Sequence, residues 1–375
     1  MALTNFAALT DEQKTVWSMD FWKHARNYSF MNKFTGTGQD SLIQRVTELR
    51  KDERGARAVI TLVADLLGDG IAGDRTLEGN EEAMRSYDQV IRIDQLRHAN
   101  RNMGKMNDQK SIVRFREQSR DKLAYWMADR MDQLAILTMS GVGYGVHTNG
   151  ATRVGSDLIN LEYAADVKAG SANRAFVWDG TNKVLSTTQT QTDITLAADK
   201  PTWEMFVELK AQAKNNYVRP VRTSDGIDFY HAFVTPDAMA ALKKDPNFIA
   251  MVRDAGVRGA SNPLFKGTDT IMVDGIAISE YRHVFNNKGL ADGSRWGASG
   301  DVTGCRMLFC GAQALAFADI GAASWDEEMF DYENQIGIST GKIFGFLKPQ
   351  FHTDVTNSVE DFGIMTVDFA TGGND

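Results

Sequence analysis

The chain has 375 residues, 43% hydrophobic and 24% charged, with a formal net charge of -8. That length can bury a large core in one elaborate domain or two to three subdomains, and the acidic balance argues against a dedicated nucleic-acid binder or a basic membrane-surface protein. No apolar run approaches the ~20 residues of a membrane span, the start MALTNFAALTDEQKTVW lacks a signal-peptide pattern, and Cys305 and Cys310, the only cysteines, exclude a disulfide framework and point to a reducing, cytosolic origin.

Residues 1–56 read as an arm. Thr10-Asp11-Glu12-Gln13 opens a short helix with Trp17, Phe21 and Trp22 as its apolar contacts. These tryptophans dock either on a neighbouring subunit or on the chain's own body. Asn27 to Asp40 is turn-rich, and Leu42 to Arg50 forms a further short helix. Over 57–104 two extended runs, Arg57–Ala64 and Asp88–Leu96, flank the segment LGDGIAGDRTLEGNEEAMRS, which has four glycines and five acids. A hairpin of that length cannot bury itself and needs a surface to lie on.

From Asp108 to Ser140 no proline or glycine interrupts the chain, and Ile112, Phe115, Leu123, Trp126, Met127, Leu134 and Leu137 recur with a period near 3.6. Asp108 is the expected N-cap and Gly141 the stop. The result is a spine helix of about 45 Å at 1.5 Å per residue, with one face on its own domain and a mixed-charge face toward water or charged partners. Residues 151–200 read as an irregular, partly β insertion. Trp203–Ala213 is a second amphipathic helix. Next come a strand at Phe229–Val234, a helix capped by Thr235-Pro236-Asp237 and running to Leu242, and a strand pair around Asp274-Gly275. Arg306–Phe309 is another strand, Ala314–Asp319 continues that sheet, and the tail from Lys342 to Phe369 is strand-rich. The fold class is α+β.

Chemistry is sparse. His24, His98, His147, His231, His283 and His352 stand singly, without metal-ligand spacing. His231 reads as a satisfied core histidine, and the two cysteines, five apart, as buried thiols on opposite faces of a strand. Gly141-Val-Gly143-Tyr-Gly145 leaves a helix instead of joining a strand to one, so it makes a turn and not a phosphate loop. Asp69, Asp74, Glu78, Glu81 and Glu82 lack the calcium-loop ladder and suit a solvated or intersubunit acidic face. Neither a catalytic residue, a cofactor nor a metal is expected.

Several stretches carry a family likeness: LEGNEEAM (77–84), RNMGKMNDQKS (101–111), the pattern Arg116, Arg120, Leu123, Trp126 in the spine, then HAFVTPDAMAAL (231–242), MVDGIAISEY (272–281) and GCRMLFCGAQALAFAD (304–319). In this order they resemble the major capsid proteins of tailed bacteriophages, most closely the branch typified by the podovirus N-four capsid protein. The resemblance implies the HK-97-like phage capsid fold. Its parts would be an N-terminal arm (1–56), an extended loop (57–108), a peripheral domain on the spine helix with the β insertion (109–200), an axial domain (201–345), and strands returning to the peripheral domain (346–375). It also implies hexamers and pentamers of one chain in an icosahedral shell around double-stranded DNA, a virion location after assembly in the host cytoplasm, a portal partner, and no membrane.

Two departures narrow this expectation. Residues 57–104 contain no lysine, Lys51 and Lys105 falling outside, so the covalent sealing of some relatives is not expected; packing or a separate cement protein holds the shell. The arm is too short for a built-in scaffold segment, which leaves that task to a separate scaffolding protein. Expected subunit contacts are Arg75, Glu78, Glu81, Glu82, Arg85 and Arg92 of the hairpin, with Trp17 and Trp22 of the arm. Competing readings are an encapsulin-like compartment shell, a tail-tube protein, and an enzyme whose acidic hairpin and histidines converge in one pocket.

Overall fold

A computed structural model of the chain describes residues 11–46, 57–63, 69–79, 81–83, 86–110, 114–222, 226, 228–255, 270–353 and 358–372. Its helices are α1 (Asp11–Tyr28), α2 (Lys105–Lys110), α3 (Phe115–Ser140), α4 (Trp203–Asn215), α5 (Pro236–Leu242) and α6 (Pro246–Ala255). The strands of the first half are β1 (Thr35–Gly36), β2 (Ile43–Val46), β3 (Arg57–Val63), β4 (Ser86–Arg92), β5 (Asp94–Arg101), β6 (Ala175–Asp179) and β7 (Val184–Ser186). Then follow β8 (Val221–Arg222), β9 (Asp228–Val234), β10 (Thr270–Val273), β11 (Ile276–Glu280), β12 (Gly304–Cys310) and β13 (Leu315–Asp319). The last are β14 (Ser324–Phe330), β15 (Gln335–Leu347), β16 (Gln350–Thr353), β17 (Ser358–Asp361) and β18 (Ile364–Ala370).

Two sheets organise these elements. An eight-stranded sheet runs β10-β11-β9-β12-β18-β6-β7, with β8 beside β9. A six-stranded sheet runs β1-β2-β13-β15-β14, with β5 paired to β15. One core joins Met307 and Phe309 of the first sheet to Phe317, Phe344 and Phe346 of the second, with Leu134, Ile136 and Leu137 of α3 in the same cluster. The end of α3 therefore has apolar partners from both sheets, and every residue from Asp132 to Ser140 is buried. A helix hydrophobic all round belongs in a core. The expected division into one packed and one wet face holds only for its first half.

The spine begins later than the periodicity suggests. Arg114, extended at φ -74 and ψ 106, is the N-cap, and Asp108 lies inside the separate helix α2. Residues 111–113 lie outside the described set. The 26 residues of α3 make a rod of about 39 Å. At its other end Gly141, at φ 67, donates its N–H to the carbonyls of Leu137 and Thr138. A Cβ there would stand 2.6 Å from the Lys168 carbonyl oxygen, so glycine is needed for both conformation and approach.

Several expectations fail on long-range pairing. Ile43–Val46 is a strand parallel to both β1 and β13, not part of a helix, and residues 47–50 lie outside the described set. Leu315–Asp319 does not continue the sheet of β12 but crosses to the six-stranded sheet. The run from Asp88 to Leu96 divides at Ile93 into β4 and β5. Helix α1 is 18 residues long rather than short, and neither α6 nor the β14–β15 pair was anticipated. Strand β13 pairs with β2 and β15 with β5, while β18 lies between β12 and β6 in the larger sheet.

Other elements agree with the sequence. Thr235 Oγ1 accepts from Ala238 N at 3.3 Å and Pro236 opens α5. Asp274 and Gly275 both take positive φ, 49 and 70, in the turn between β10 and β11, as a two-residue hairpin of the primed type requires.

Candidate subunit-contact surfaces

The base of the extended hairpin is anchored on the chain's own sheet. Strands β3 and β4 pair antiparallel from Arg57↔Arg92 to Val63↔Ser86. Ala58, Ile60 and Ile91 are buried against Val46, Ala316, Ala318 and Leu347. Val59 and Val90 on the opposite face are exposed, the alternation expected of a ribbon lying on a sheet by one face. Gln350 N donates to Gln89 Oε1 at 3.0 Å, and the Tyr87 ring stacks on His352 with 6.3 Å between centroids.

Beyond this base, the described residues from 69 to 83 have no strand or helix, and all but Ile71 are exposed. Arg75, Glu78, Glu81 and Glu82 are exposed there together with Leu77, and Gly79 N donates to Glu81 Oε2 at 2.7 Å. Arg92 is at the anchored end and pairs with Asp166 of its own chain at 3.6 Å. Arg85 and the side chain of Trp17 lie outside the described residues.

Trp22 belongs to its own chain. Helix α1 lies along α3, burying Phe21, Trp22 and Ala25 against Leu123, Ala124 and Met127, with Trp325 and Ile338 beneath. The Lys342 ammonium sits 3.8 Å from the centre of the Trp22 ring. Burial pushes this lysine's pKa down, against the Asp319 carboxylate that it also touches. Arg45 reaches the same carboxylate. Across the helix pair, Arg120 Nη1 donates to Asp20 Oδ2 at 2.8 Å. These intrachain partners leave Trp22 8% exposed, which takes it off the free surface as an expected contact.

Where arm, spine and larger sheet meet, Asp132 acts as a common acceptor. It takes hydrogen bonds from Ser29 Oγ at 2.6 Å, Phe30 N at 2.7 Å, Met31 N at 3.3 Å and Tyr281 Oη at 3.0 Å. One turn back, Asp129 accepts from Arg282 Nη2 at 3.3 Å and stands 2.8 Å from His283 Nε2. The residues 281–283 that follow β11 are thus fastened to the spine at two points. Arg306 fastens β12 to the helix end: its Nη1 donates to Ser140 O at 3.0 Å, while Nε and Nη2 each reach Asp368 at 2.7 Å. A cation at a helix C-terminus is the favourable sign for the dipole.

The groups weighed for chemistry are dispersed. The acidic tip is exposed, His98 stacks on Trp126, His283 pairs with Asp129, and His231 lies against Phe34, Phe229 and Phe233. His231 Nδ1 is buried without a partner, so this core histidine is not fully satisfied, and burial pushes its pKa down to about 4. Cys305 and Cys310 are fully buried free thiols; burial raises both, Cys305 to about 12. A cavity of about 50 Å³ between arm, spine and six-stranded sheet has room for a water or two. Among the described residues no group of His, Cys, Asp and Glu could hold a metal ion.

Comparison with known proteins gives the arrangement its place. The family model described as phage capsid protein matches residues 5–372. The major capsid protein of Pseudomonas phage KPP25 is 57% identical over 365 residues, covering 97% of this chain and 96% of the relative. The capsid of Ralstonia phage GP4 superposes with a TM-score of 0.75 at 24% identity, covering 92% of each chain. The capsid of cyanophage Pam1 gives a TM-score of 0.70 at 17% identity, over 100% of this chain and 97% of that one. At those identities the structures establish the HK-97-like fold, and the match to the family model establishes membership. The chain belongs to the phage capsid protein family, as a structural component of the virus shell and not an enzyme.

Proposed function

We propose that the chain assembles as hexamers and pentamers into an icosahedral, non-covalent shell that encloses phage double-stranded DNA. The observation that carries this reading is the hairpin. Its base is anchored on its own six-stranded sheet, and the described residues of its outer half are exposed without strand or helix, which suits a neighbouring copy to lie on. Exposed ion pairs contribute only about 0–1 kcal/mol each, but the mixed charges at Arg75, Glu78, Glu81 and Glu82 fix register when repeated around a ring. In this reading the arm, α3 and the six-stranded sheet make the peripheral unit, and the larger sheet with α4 to α6 makes most of the axial unit. A separate scaffolding protein and a portal are the remaining partners, packing or a cement protein holds the shell, and assembly takes place in the host cytoplasm.

The capsid relatives favour this over an encapsulin-like compartment. Replacing residues 69–83 by a short Gly-Ser connector is expected to leave the chain folded and to abolish shells in sedimentation. Normal shells from the shortened chain would reject the hairpin's role. The absence of lysine from 57–104 supports the non-covalent seal: mature particles are expected to dissolve in SDS to a single monomer band, and a resistant ladder would contradict it.

A further inference from the structure

One cationic cluster on the spine has no part in the contacts above. Gln133 Oε1 accepts from Arg130 Nη1 at 3.0 Å and from Arg153 Nη2 at 2.8 Å, so two guanidinium groups converge on one neutral oxygen. Arg153 Nε is held by Val146 O at 3.0 Å. The carboxylate nearest in the helix, Asp129, is engaged by His283 at 2.8 Å, Arg282 at 3.3 Å and Gln133 Nε2 at 2.7 Å. Among the described residues no carboxylate is within ion-pair distance of Arg130, Arg153 or Lys122. Burial and the Arg130 charge push Arg153 down against the pull of Asp129, and burial with both arginines pushes His147 down. Asp129 is the carboxylate that acts on both arginines, and it is shared with Arg282 and His283, so the cluster keeps an excess of positive charge for an outside anion to balance.

The cluster continues along the helix. Lys122, Trp126 and Arg130 are four residues apart and share one line of α3, spanning about 12 Å of axis. His98 of the edge strand β5 stacks on Trp126, with ring centroids 4.4 Å apart and planes at 24°. Twelve ångströms correspond to about three successive phosphates of one DNA strand. A basic stripe with stacked rings on a chain of net charge -8 is a segregation of charge toward one kind of partner.

We infer that Arg130, Arg153 and Lys122 form a phosphate-binding strip that contacts the backbone of the enclosed duplex DNA. The inference rests on the shell reading and deepens it by naming the face turned to the genome. Such contacts neutralise phosphates without reading bases, and three cations in an acidic subunit give weak binding per copy, compatible with packaging and release.

The test uses the purified full chain and a fluorescein-labelled 20-base-pair duplex, followed by anisotropy across a salt series. Arg130→Gln with Arg153→Gln is expected to weaken binding about tenfold at low salt and to reduce the log–log salt slope by about 2. Arg130→Lys with Arg153→Lys should restore both, which separates lost charge from lost folding. Unchanged affinity and slope in the glutamine pair overturn the inference. Thermal stabilisation by inorganic phosphate that the glutamine pair loses, with duplex binding unchanged, would assign the site to a free anion and also overturn it. Shell formation by wild type, viewed in the microscope, is scored separately, so failure of the shell reading is distinguishable from failure of the strip.

Discussion

Asp129 and Asp132 stand one turn apart on α3, and their carboxyl groups are displaced in opposite directions. At Asp132 burial raises the pKa above the ordinary 3.8 and outweighs the hydrogen bonds from Ser29, Phe30, Tyr281 and Met31. At Asp129 burial also raises it, but the hydrogen bond and charge of His283, with the charges of Arg130 and Arg282, win and leave it below 3.8. Both hold the same three residues after β11 to the spine, one through a phenol and the other through a guanidinium and an imidazole.

Opposite pH dependences follow. A carboxyl raised in the folded state binds more protons there than when unfolded, so its contribution is largest below 3.8 and is lost as pH rises through the folded value. The advantage of wild type over Asp132→Asn should therefore shrink from acid toward neutral pH. A lowered carboxyl contributes above 3.8 and loses that contribution as pH falls through the folded value, so the advantage over Asp129→Asn should shrink on acidification. Urea unfolding of the three chains between pH 3 and 7 checks this; parallel pH profiles for the two variants would contradict it.

Trp22 provides a test of where the arm is spent. Truncating a buried tryptophan costs about 3–5 kcal/mol, and Trp22→Ala also removes the ring beside the buried Lys342. The unassembled chain should lose that much stability in urea unfolding. If it unfolds like wild type yet fails to form shells, the tryptophan belongs to an intersubunit contact instead.

What the sequence disclosed follows the range of the interactions. Thr235-Pro236-Asp237, Asp274-Gly275 and Gly141 announce local geometry, and each stands where its chemistry requires. The hairpin was legible because its alternation is local and its length exceeds what it can bury. Ile43–Val46 was misread because its strand character comes from β1 and β13, the latter some 270 residues away. Asp132 and Arg306, which tie the spine to both arm and sheet, carry no motif at all. Neither does the Arg130–Gln133–Arg153 convergence, since residue 153 comes back to the helix only through the turns after Gly141. The phage-capsid resemblance drew on the order of short segments along nearly the whole chain, and so survived errors in individual elements.

The hairpin tip gives the sharpest surface prediction. Glu81→Lys with Glu82→Lys reverses two exposed charges beyond the anchored part of the ribbon. Surface substitutions of this kind change stability by less than about 0.5 kcal/mol, so the isolated chain should unfold as wild type does while particle yield falls severalfold in gradient sedimentation. Normal yield would remove these glutamates from the subunit contacts.

The central claim is self-assembly, and electron microscopy of the purified chain, alone and with its scaffolding protein, tests it most directly. Closed shells or six-fold capsomers are the predicted result. A homogeneous monomer under both conditions would contradict the account.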